Sequence, residues 1–144
     1  MNKILKTKVF FEIQQIEKLI LQAHPLLEVC KHKDPDFIEM SAMSAVLHSF
    51  YNGFESIFLI IKKSEKHSIE KSAGWHKELL NNATQEMDII SLESREILVE
   101  YMQFRHFFRH AYNFQMNWKK MKHLVLGIEN IWNQIKSEIK SSIV

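Results

Sequence analysis

Apolar residues recur at spacings of three and four along most of the chain, and this periodicity is typical of amphipathic helices. It predicts a first helix over residues 2–23, which Pro25 interrupts or kinks and which a short segment up to residue 33 can continue. A second helix is predicted to start with Asp34 as its N-cap and Pro35 as its first residue, and to run to about residue 63. Because apolar residues occupy several of its sides, we expect this second helix to be the central one.

The second half of the chain predicts three further helices. Residues 64–74 are polar and indicate a loop, and a short helix follows over residues 75–87. Ser91 is a plausible cap for a fourth helix, which we expect to weaken near Asn113 because asparagine is a poor helix former. Asn117 can cap a last helix that runs to about residue 139. The sequence contains no internal repeat and no composition change that would mark a domain boundary, so residues 1–144 are interpreted as one domain. The predicted fold is all-α, an up-and-down bundle of four to five helices.

Composition agrees with a helical protein and indicates its cellular setting. Three glycines and two prolines leave few turns, which favours long helices. A single cysteine, Cys30, excludes an intrachain disulfide and is typical of a reducing compartment. The longest apolar run, residues 57–61, is too short to span a membrane, and residues 1–11 lack the apolar length of a secretory signal. We therefore expect a cytoplasmic protein without a membrane partner.

The most unusual stretch is residues 101–118, which read YMQFRHFFRHAYNFQMNW. Within eight positions it contains Arg105, His106, Arg109, His110 and Tyr112, next to an apolar stripe that can be buried. Residues 101–128 contain no Asp or Glu but five Lys and Arg residues, although the net charge of the whole chain is only +2. Such clustering indicates an anion site, and a polyanion such as RNA is one candidate ligand.

The spacing within this cluster raises a geometric problem. Arg105 and His110 are five residues apart, so on a regular helix they point about 140° away from each other. Two groups that act on one phosphate therefore need either a distorted helix near His110 or a second copy of the chain. We favour pairing of two subunits, because a two-fold interface places the same stripe of each partner face to face. Tyr112 follows Arg105 by seven residues and would share its side of a continuous helix.

Two other patterns leave alternatives open. His106 and His110 have the spacing of zinc ligands on one helix, and His123 could join them. No cysteine and no nearby carboxylate completes that set, so no metal site is predicted. Asn52 and Glu55 are polar positions within the apolar second helix, where they either face solvent or support a site.

Three segments, in the same order, resemble the HepT-like toxins among the HEPN ribonucleases. They are HSFYNGFESIF at residues 48–58, GWHKELL at residues 74–80 and EYMQFRHFFRHAYNF at residues 100–114. The third segment contains Arg105, His110 and Tyr112 in the Arg-x4-His-x-Tyr arrangement of that family, with the polar His106 directly after the arginine. The resemblance covers most of the chain from about residue 34 onward.

The resemblance implies a HEPN-like helical bundle that forms a homodimer, alone or within a larger hetero-oligomer. It implies a toxin with metal-independent endoribonuclease activity, which needs no cofactor and acts on RNA, tRNA or mRNA, and not on DNA. It also implies a partner, a minimal nucleotidyltransferase antitoxin that transfers AMP to the motif tyrosine, here Tyr112. AMP at this position would add negative charge and compete with the RNA backbone for the arginines.

The residues of the cluster suit this chemistry, because RNA carries its own nucleophile in the 2′-hydroxyl. We assign the handling of the hydroxyl proton to His110 and the stabilisation of the phosphorane to Arg105. His106 and Arg109 are candidates for positioning the phosphate or protonating the leaving oxygen, and Glu55 for orienting an arginine or histidine of a neighbouring helix. The alternative function is a non-catalytic helical module that binds a nucleotide or a partner through the same cationic pocket.

Overall fold

The computed structural model describes residues 1–65 and 73–143, and these residues form six α-helices and no strand. The helices are α1 Lys3–His32, α2 Phe37–Ser64, α3 Trp75–Asn81, α4 Leu92–His110, α5 Trp118–Leu126 and α6 Ile128–Ile143. A π-type turn extends α3, and a short 3-10 turn separates α4 from α5. The prediction of an all-α helical bundle is confirmed, with one helix more than expected. Most of the loop predicted over residues 64–74 lies outside the described residues.

Polar side chains cap the first turns of α1, α2 and α4, and the caps of α1 and α4 are simple. Asn2 accepts a hydrogen bond from the backbone N–H of Leu5 at 2.9 Å, at the start of α1. Ser91 accepts from the backbone N–H of Ser94 at 3.1 Å and caps α4, as predicted. These contacts satisfy N–H groups that the first turn of a helix leaves without partners, and typically contribute about 1 kcal/mol each.

The start of α2 differs from the prediction. The N-cap is Asp36, whose carboxylate accepts from the backbone N–H of Glu39 at 2.8 Å, while the Glu39 carboxylate accepts from the backbone N–H of Asp36 at 3.0 Å. Asp34 instead accepts from the indole N–H of Trp118 at 3.1 Å. The reciprocal capping box outweighs the preference of Pro35 for the first helical position. Asp34 therefore anchors the start of α5 and does not cap α2.

Pro25 does not interrupt α1, and the segment after it continues the helix to His32, within one residue of the end at residue 33 that the sequence allowed. Proline costs the helix a hydrogen bond to the carbonyl of Leu21, but both residues are exposed, so water can replace that bond. The last predicted helix is divided into α5 and α6 at Gly127, the residue with the lowest helix propensity in that stretch. Backbone hydrogen bonds to and from Gly127 continue across the junction, so the break is small.

α2 is the central helix, as its apolar pattern predicts. It contributes eight apolar side chains that are at most 3 % exposed, namely Met43, Leu47, Phe50, Tyr51, Phe54, Ile57, Phe58 and Ile61. α1 packs against one side of α2 at very short range. A Cβ added at Gly53 would lie 2.6 Å from Cγ1 of Ile16, so the approach of these two helices requires glycine.

α4 packs against α2 and is held in place at its start and at its middle. At its start, the Ser91 backbone N–H and the Ser94 hydroxyl donate to the two carboxylate oxygens of Glu138 on α6, at 2.9 Å and 3.1 Å. At its middle, the buried Tyr101 hydroxyl donates to the backbone carbonyl of Leu124 on α5 at 2.5 Å. These contacts fix the rotation of α4 and hence the direction in which its polar residues point. None of the described helices has the length and apolar content needed to cross a bilayer.

Candidate functional site

Arg105 lies on the side of α4 that faces α2, where its side chain is half-buried. Its Nε donates a hydrogen bond to Oδ1 of Asn52 at 2.6 Å. Within residues 1–65 and 73–143, no carboxylate is close enough to Arg105 to form an ion pair. The guanidinium therefore keeps an uncompensated positive charge in a fixed position, which is what an anion site requires.

His106 and His110 form an exposed imidazole pair at the end of α4. Their ring centroids are 4.7 Å apart, with the ring planes inclined by 57°. Both side chains are exposed, so both can exchange protons with solvent or with a bound substrate. In the described part of the chain, no hydrogen bond or ring contact joins Arg105 to either imidazole.

α4 remains a regular helix up to His110 and then ends abruptly. Ala111 is extended, with φ −110° and ψ 152°. The helix does not distort before His110, so one chain leaves Arg105 and His110 on different sides of α4. It also ends before Tyr112, so the expectation that Tyr112 shares a helical face with Arg105 is wrong. Capping by Ala111 in an extended conformation stops the helix earlier than the predicted weakening at Asn113.

Tyr112 is presented to solvent by the segment that follows α4. Its ring stacks on Phe114 with the centroids 5.5 Å apart and the planes 5° from parallel. Tyr112 is 74 % exposed and Phe114 is 75 % exposed. The backbone N–H of Tyr112 donates to Oε1 of Gln115 at 2.8 Å, which ties the segment into a turn. The phenol hydroxyl is thus accessible to a macromolecular partner.

A second group of polar residues faces α4 from α2. Asn52 lies between Arg105 and His48, and its Nδ2 is 3.4 Å from Nδ1 of His48. The His48 ring contacts Phe108 of α4, with the centroids 5.4 Å apart. From the sequence alone, Asn52 either faces solvent or supports a site, and His48 is only the first residue of the segment 48–58 that resembles the HepT-like toxins. The available signal was their spacing of four, which places both on one face of α2.

Glu55 is buried one turn further along α2 and contacts none of the cluster on α4. Its Oε2 is 2.6 Å from Nδ1 of His76, the second residue of α3. Burial raises the pKa of Tyr51, and the neighbouring carboxylate of Glu55 raises it further. In the described structure, Glu55 therefore holds α3 against α2 through His76, a histidine of a neighbouring helix, and no hydrogen bond or ion pair of the described residues joins Glu55 to the cluster on α4.

His48 is electrostatically coupled to the arginines of α4. Burial lowers the pKa of His48, and the positive charges of Arg105 and Arg109 lower it further, against an opposing effect of Glu55. Proximity to two cations and partial loss of water both disfavour the imidazolium form. His48 is consequently neutral in the folded chain at neutral pH.

This shift predicts that the folded chain loses stability as the pH falls through about 6.5, the ordinary pKa of histidine. Below that pH the unfolded chain binds a proton at His48 that the folded chain does not bind, so the free energy of unfolding rises with pH in this window. Denaturant unfolding above and below this pH measures the effect. We expect His48→Gln to reduce the pH dependence of the free energy of unfolding. The control is His32→Gln, which replaces an exposed histidine of α1 and should not change this pH dependence. Equal slopes for wild type and His48→Gln would contradict the assignment.

Open grooves border the cluster on two sides. One of about 460 Å³ lies between α1 and α2 and reaches Asn52. The other, of about 420 Å³, lies between α4 and α5, and its lining includes Phe104, Phe107 and Lys120. Lys119 and Lys122 are exposed on the same short helix as Lys120. The second groove therefore lies beside three exposed lysines of α5, and its lining also includes Glu100.

The zinc alternative gains no support from the geometry. His123 is paired with Glu100, whose Oε2 lies 2.9 Å from its Nε2, in an exposed contact between α5 and α4. In the described ranges 1–65 and 73–143, no group of three or more His, Cys, Asp or Glu residues could hold a metal ion.

Comparison with protein families gives one match. A family model described as HepT-like protein matches residues 42–143. This region begins in the second turn of α2 and extends to the end of α6, so it includes Asn52, the cluster on α4 and Tyr112. Searches of curated proteins and of solved structures give no match.

Proposed function

Because the chain belongs to the family of HepT-like proteins, we propose that it is the toxin of a toxin–antitoxin pair and a metal-independent endoribonuclease. The observation that carries the proposal is the guanidinium of Arg105, which Asn52 holds in place and which no described carboxylate neutralises. Its charge is available to an RNA phosphate. The setting of this activity is the cytoplasm, where the substrate is tRNA or mRNA.

The reaction is an attack of the 2′-oxygen of RNA on the adjacent phosphorus atom. His110 accepts the proton of the 2′-hydroxyl, the new P–O bond forms, and Arg105 stabilises the charge of the phosphorane. The bond from phosphorus to the 5′-oxygen then breaks, and His106 supplies the proton that the leaving oxygen needs. Arg109 positions the phosphate, since an arginine does not give up its proton in proteins. The products are a 2′,3′-cyclic phosphate and a 5′-hydroxyl.

The complete site requires two subunits. Because α4 stays regular between Arg105 and His110, the two side chains of one subunit cannot both face one phosphate. A two-fold dimer solves this by setting Arg105 of one subunit opposite the partner subunit's His110. Such an interface would also cover Phe107, an apolar side chain of α4 that is 44 % exposed in the single chain.

Neutralisation is assigned to a minimal nucleotidyltransferase antitoxin that transfers AMP to Tyr112, within a hetero-oligomer of toxin and antitoxin. The exposed hydroxyl of Tyr112 is accessible to a second active site. Tyr112 comes two residues after His110 and three after Arg109 in the chain, so an added phosphate would lie close to the cluster. Its negative charge would occupy the cations that RNA needs.

The test is cleavage of RNA by the purified protein in excess EDTA. We expect products with 2′,3′-cyclic phosphate ends, and no cleavage of an otherwise identical strand that carries 2′-deoxyribose at the cleaved position. Activity that EDTA abolishes, or cleavage of the deoxy-substituted strand, would contradict the mechanism. Absence of cleavage with every RNA supplied would favour the non-catalytic module that binds a nucleotide or partner.

A further inference from the structure

Asn52 binds the one guanidinium nitrogen of Arg105 that leaves both terminal amino groups free. Nε is the donor nearest the backbone, and its bond to Oδ1 of Asn52 is short, at 2.6 Å. A bond at Nε fixes the rotation of the planar guanidinium about its last side-chain torsions. The two terminal amino groups then face away from Asn52 as a pair, the arrangement that binds two phosphate oxygens at once.

The orientation of the Asn52 amide follows from its two neighbours. Because Nε of Arg105 can only donate, the side facing it must be the amide oxygen. The amide NH₂ group then faces Nδ1 of His48 at 3.4 Å, so this nitrogen accepts and the proton of the neutral ring is on Nε2. A doubly protonated His48 would offer no acceptor here. The neutral imidazole of His48 thus holds the amide in the orientation that Arg105 needs.

The acceptor that orients Arg105 is the uncharged amide of Asn52, and its lack of charge matters for phosphate binding as much as its position. A carboxylate in place of Asn52 would form an ion pair with Arg105 and cancel the charge that attracts phosphate. The nearest acidic residue on α2 is Glu55, and its carboxylate is bound to His76 at 2.6 Å. The neutral amide of Asn52 thus supplies the contact that orients Arg105, while the carboxylate of Glu55 on the same helix binds His76.

We propose that Asn52 is a positioning residue, which orients the guanidinium of Arg105 toward the phosphate, and that His48 fixes the orientation of Asn52. The proposal rests on the proposed ribonuclease activity for its catalytic consequence. Its structural part, the fixed guanidinium, can be measured without RNA.

The kinetic test compares Asn52→Ala with a matched variant. Asn81 offers the match, because its Oδ1 accepts from Nε of Arg95 at the same distance of 2.6 Å, between α3 and α4. We expect Asn52→Ala to lower kcat by about 10- to 100-fold with a smaller change in KM, because a misplaced group costs most in the transition state. Asn81→Ala should leave kcat within about twofold of wild type, because Asn81 contacts Arg95 and none of the cluster residues that act on RNA. His48→Phe, which removes the acceptor for Asn52, should lower kcat by a smaller factor than Asn52→Ala.

The second readout is the exchange rate of the Nε proton of Arg105, followed by ¹H–¹⁵N NMR without RNA. We expect slow exchange in wild type and fast exchange in Asn52→Ala. Asn52→Asp should keep the proton protected, because its carboxylate still accepts, yet weaken the binding of inorganic phosphate and of RNA. If Asn52→Ala fails to fold, the proton exchange and phosphate binding of Asn52→Asp test the positioning role of Asn52 instead.

The outcomes separate the two proposals. If wild type does not cleave RNA, the proposed function fails, and the exchange rates alone support or overturn the positioning role. If wild type cleaves RNA, wild-type kcat in Asn52→Ala or unchanged exchange of the Arg105 Nε proton would overturn the inference. An equal loss of kcat in Asn81→Ala would also overturn it, because the effect would then be general to α4.

Discussion

Replacing Arg105 with alanine should lower the rate of RNA cleavage by about 100- to 1,000-fold, the loss typical when one donor to a charged transition state is removed. The folded structure should change little, because the only hydrogen bond that the described structure gives Arg105 is the one to Asn52. His110→Ala should lower the rate by a similar factor through loss of proton transfer, and because the His110 side chain is exposed we expect no folding defect. Cleavage rates and thermal unfolding, measured on the same preparations, separate the two effects.

Arg95 provides a matched control for Arg105. It lies on the same helix and donates from Nε to an asparagine at 2.6 Å, as Arg105 does, but it lies outside the cluster. Arg95→Ala should therefore remove an equivalent hydrogen bond, together with an ion pair from Arg95 to Glu96, and retain cleavage. His123→Ala serves the same purpose for His110, because both are exposed histidines. Cleavage by the Arg105 variant at the wild-type rate, or an equal loss in the Arg95 variant, would refute the assignment.

If the proposed function is right, co-expression with a minimal nucleotidyltransferase antitoxin should abolish the toxicity and ribonuclease activity expected of the protein and add AMP to Tyr112. The phosphate of AMP would lie beside cations that the substrate needs, so the modified protein should lose its affinity for RNA. The Tyr112→Phe variant should stay unmodified and toxic when the partner is present. Growth curves, intact mass and peptide mapping report these results.

Burial makes Tyr112 the expected acceptor among the three tyrosines of the chain. Tyr51 is 0 % exposed and Tyr101 is 1 % exposed, so neither hydroxyl can enter another enzyme's active site without unfolding. Tyr112 is 74 % exposed. An unchanged mass of the co-expressed wild type, or AMP retained in Tyr112→Phe, would contradict the proposed transfer of AMP to Tyr112.

The helices could be predicted from sequence wherever local rules determine them. Periodicity identified α2 as the central helix, and Ser91 was predicted as a cap, because both depend on residues within one or two turns. Predictions failed where a competing contact decides the boundary. Asp36 caps α2 in place of Asp34, because Asp36 forms a reciprocal capping box with Glu39. α1 continues through Pro25, because the backbone there is exposed and water can replace the missing hydrogen bond.

The site was less predictable, because its geometry depends on contacts between distant parts of the chain. The resemblance indicated which residues of α4 to consider, but Asn52 and Arg105 are 53 positions apart and no spacing rule joins them. The end of α4 also escaped prediction. A continuous helix would have placed Tyr112 on the side of Arg105, whereas the extended Ala111 directs the chain away after His110.

The central claim is that Arg105 of one subunit acts together with the partner subunit's His110. Co-expressing Arg105→Ala and His110→Ala chains with different affinity tags, and purifying through both tags, tests this directly. Each mixed dimer would contain one intact Arg105–His110 site and one site with neither group, so we predict about half of the wild-type cleavage rate from two inactive variants. Mixed dimers as inactive as either variant, or a protein that does not form dimers, would contradict the account.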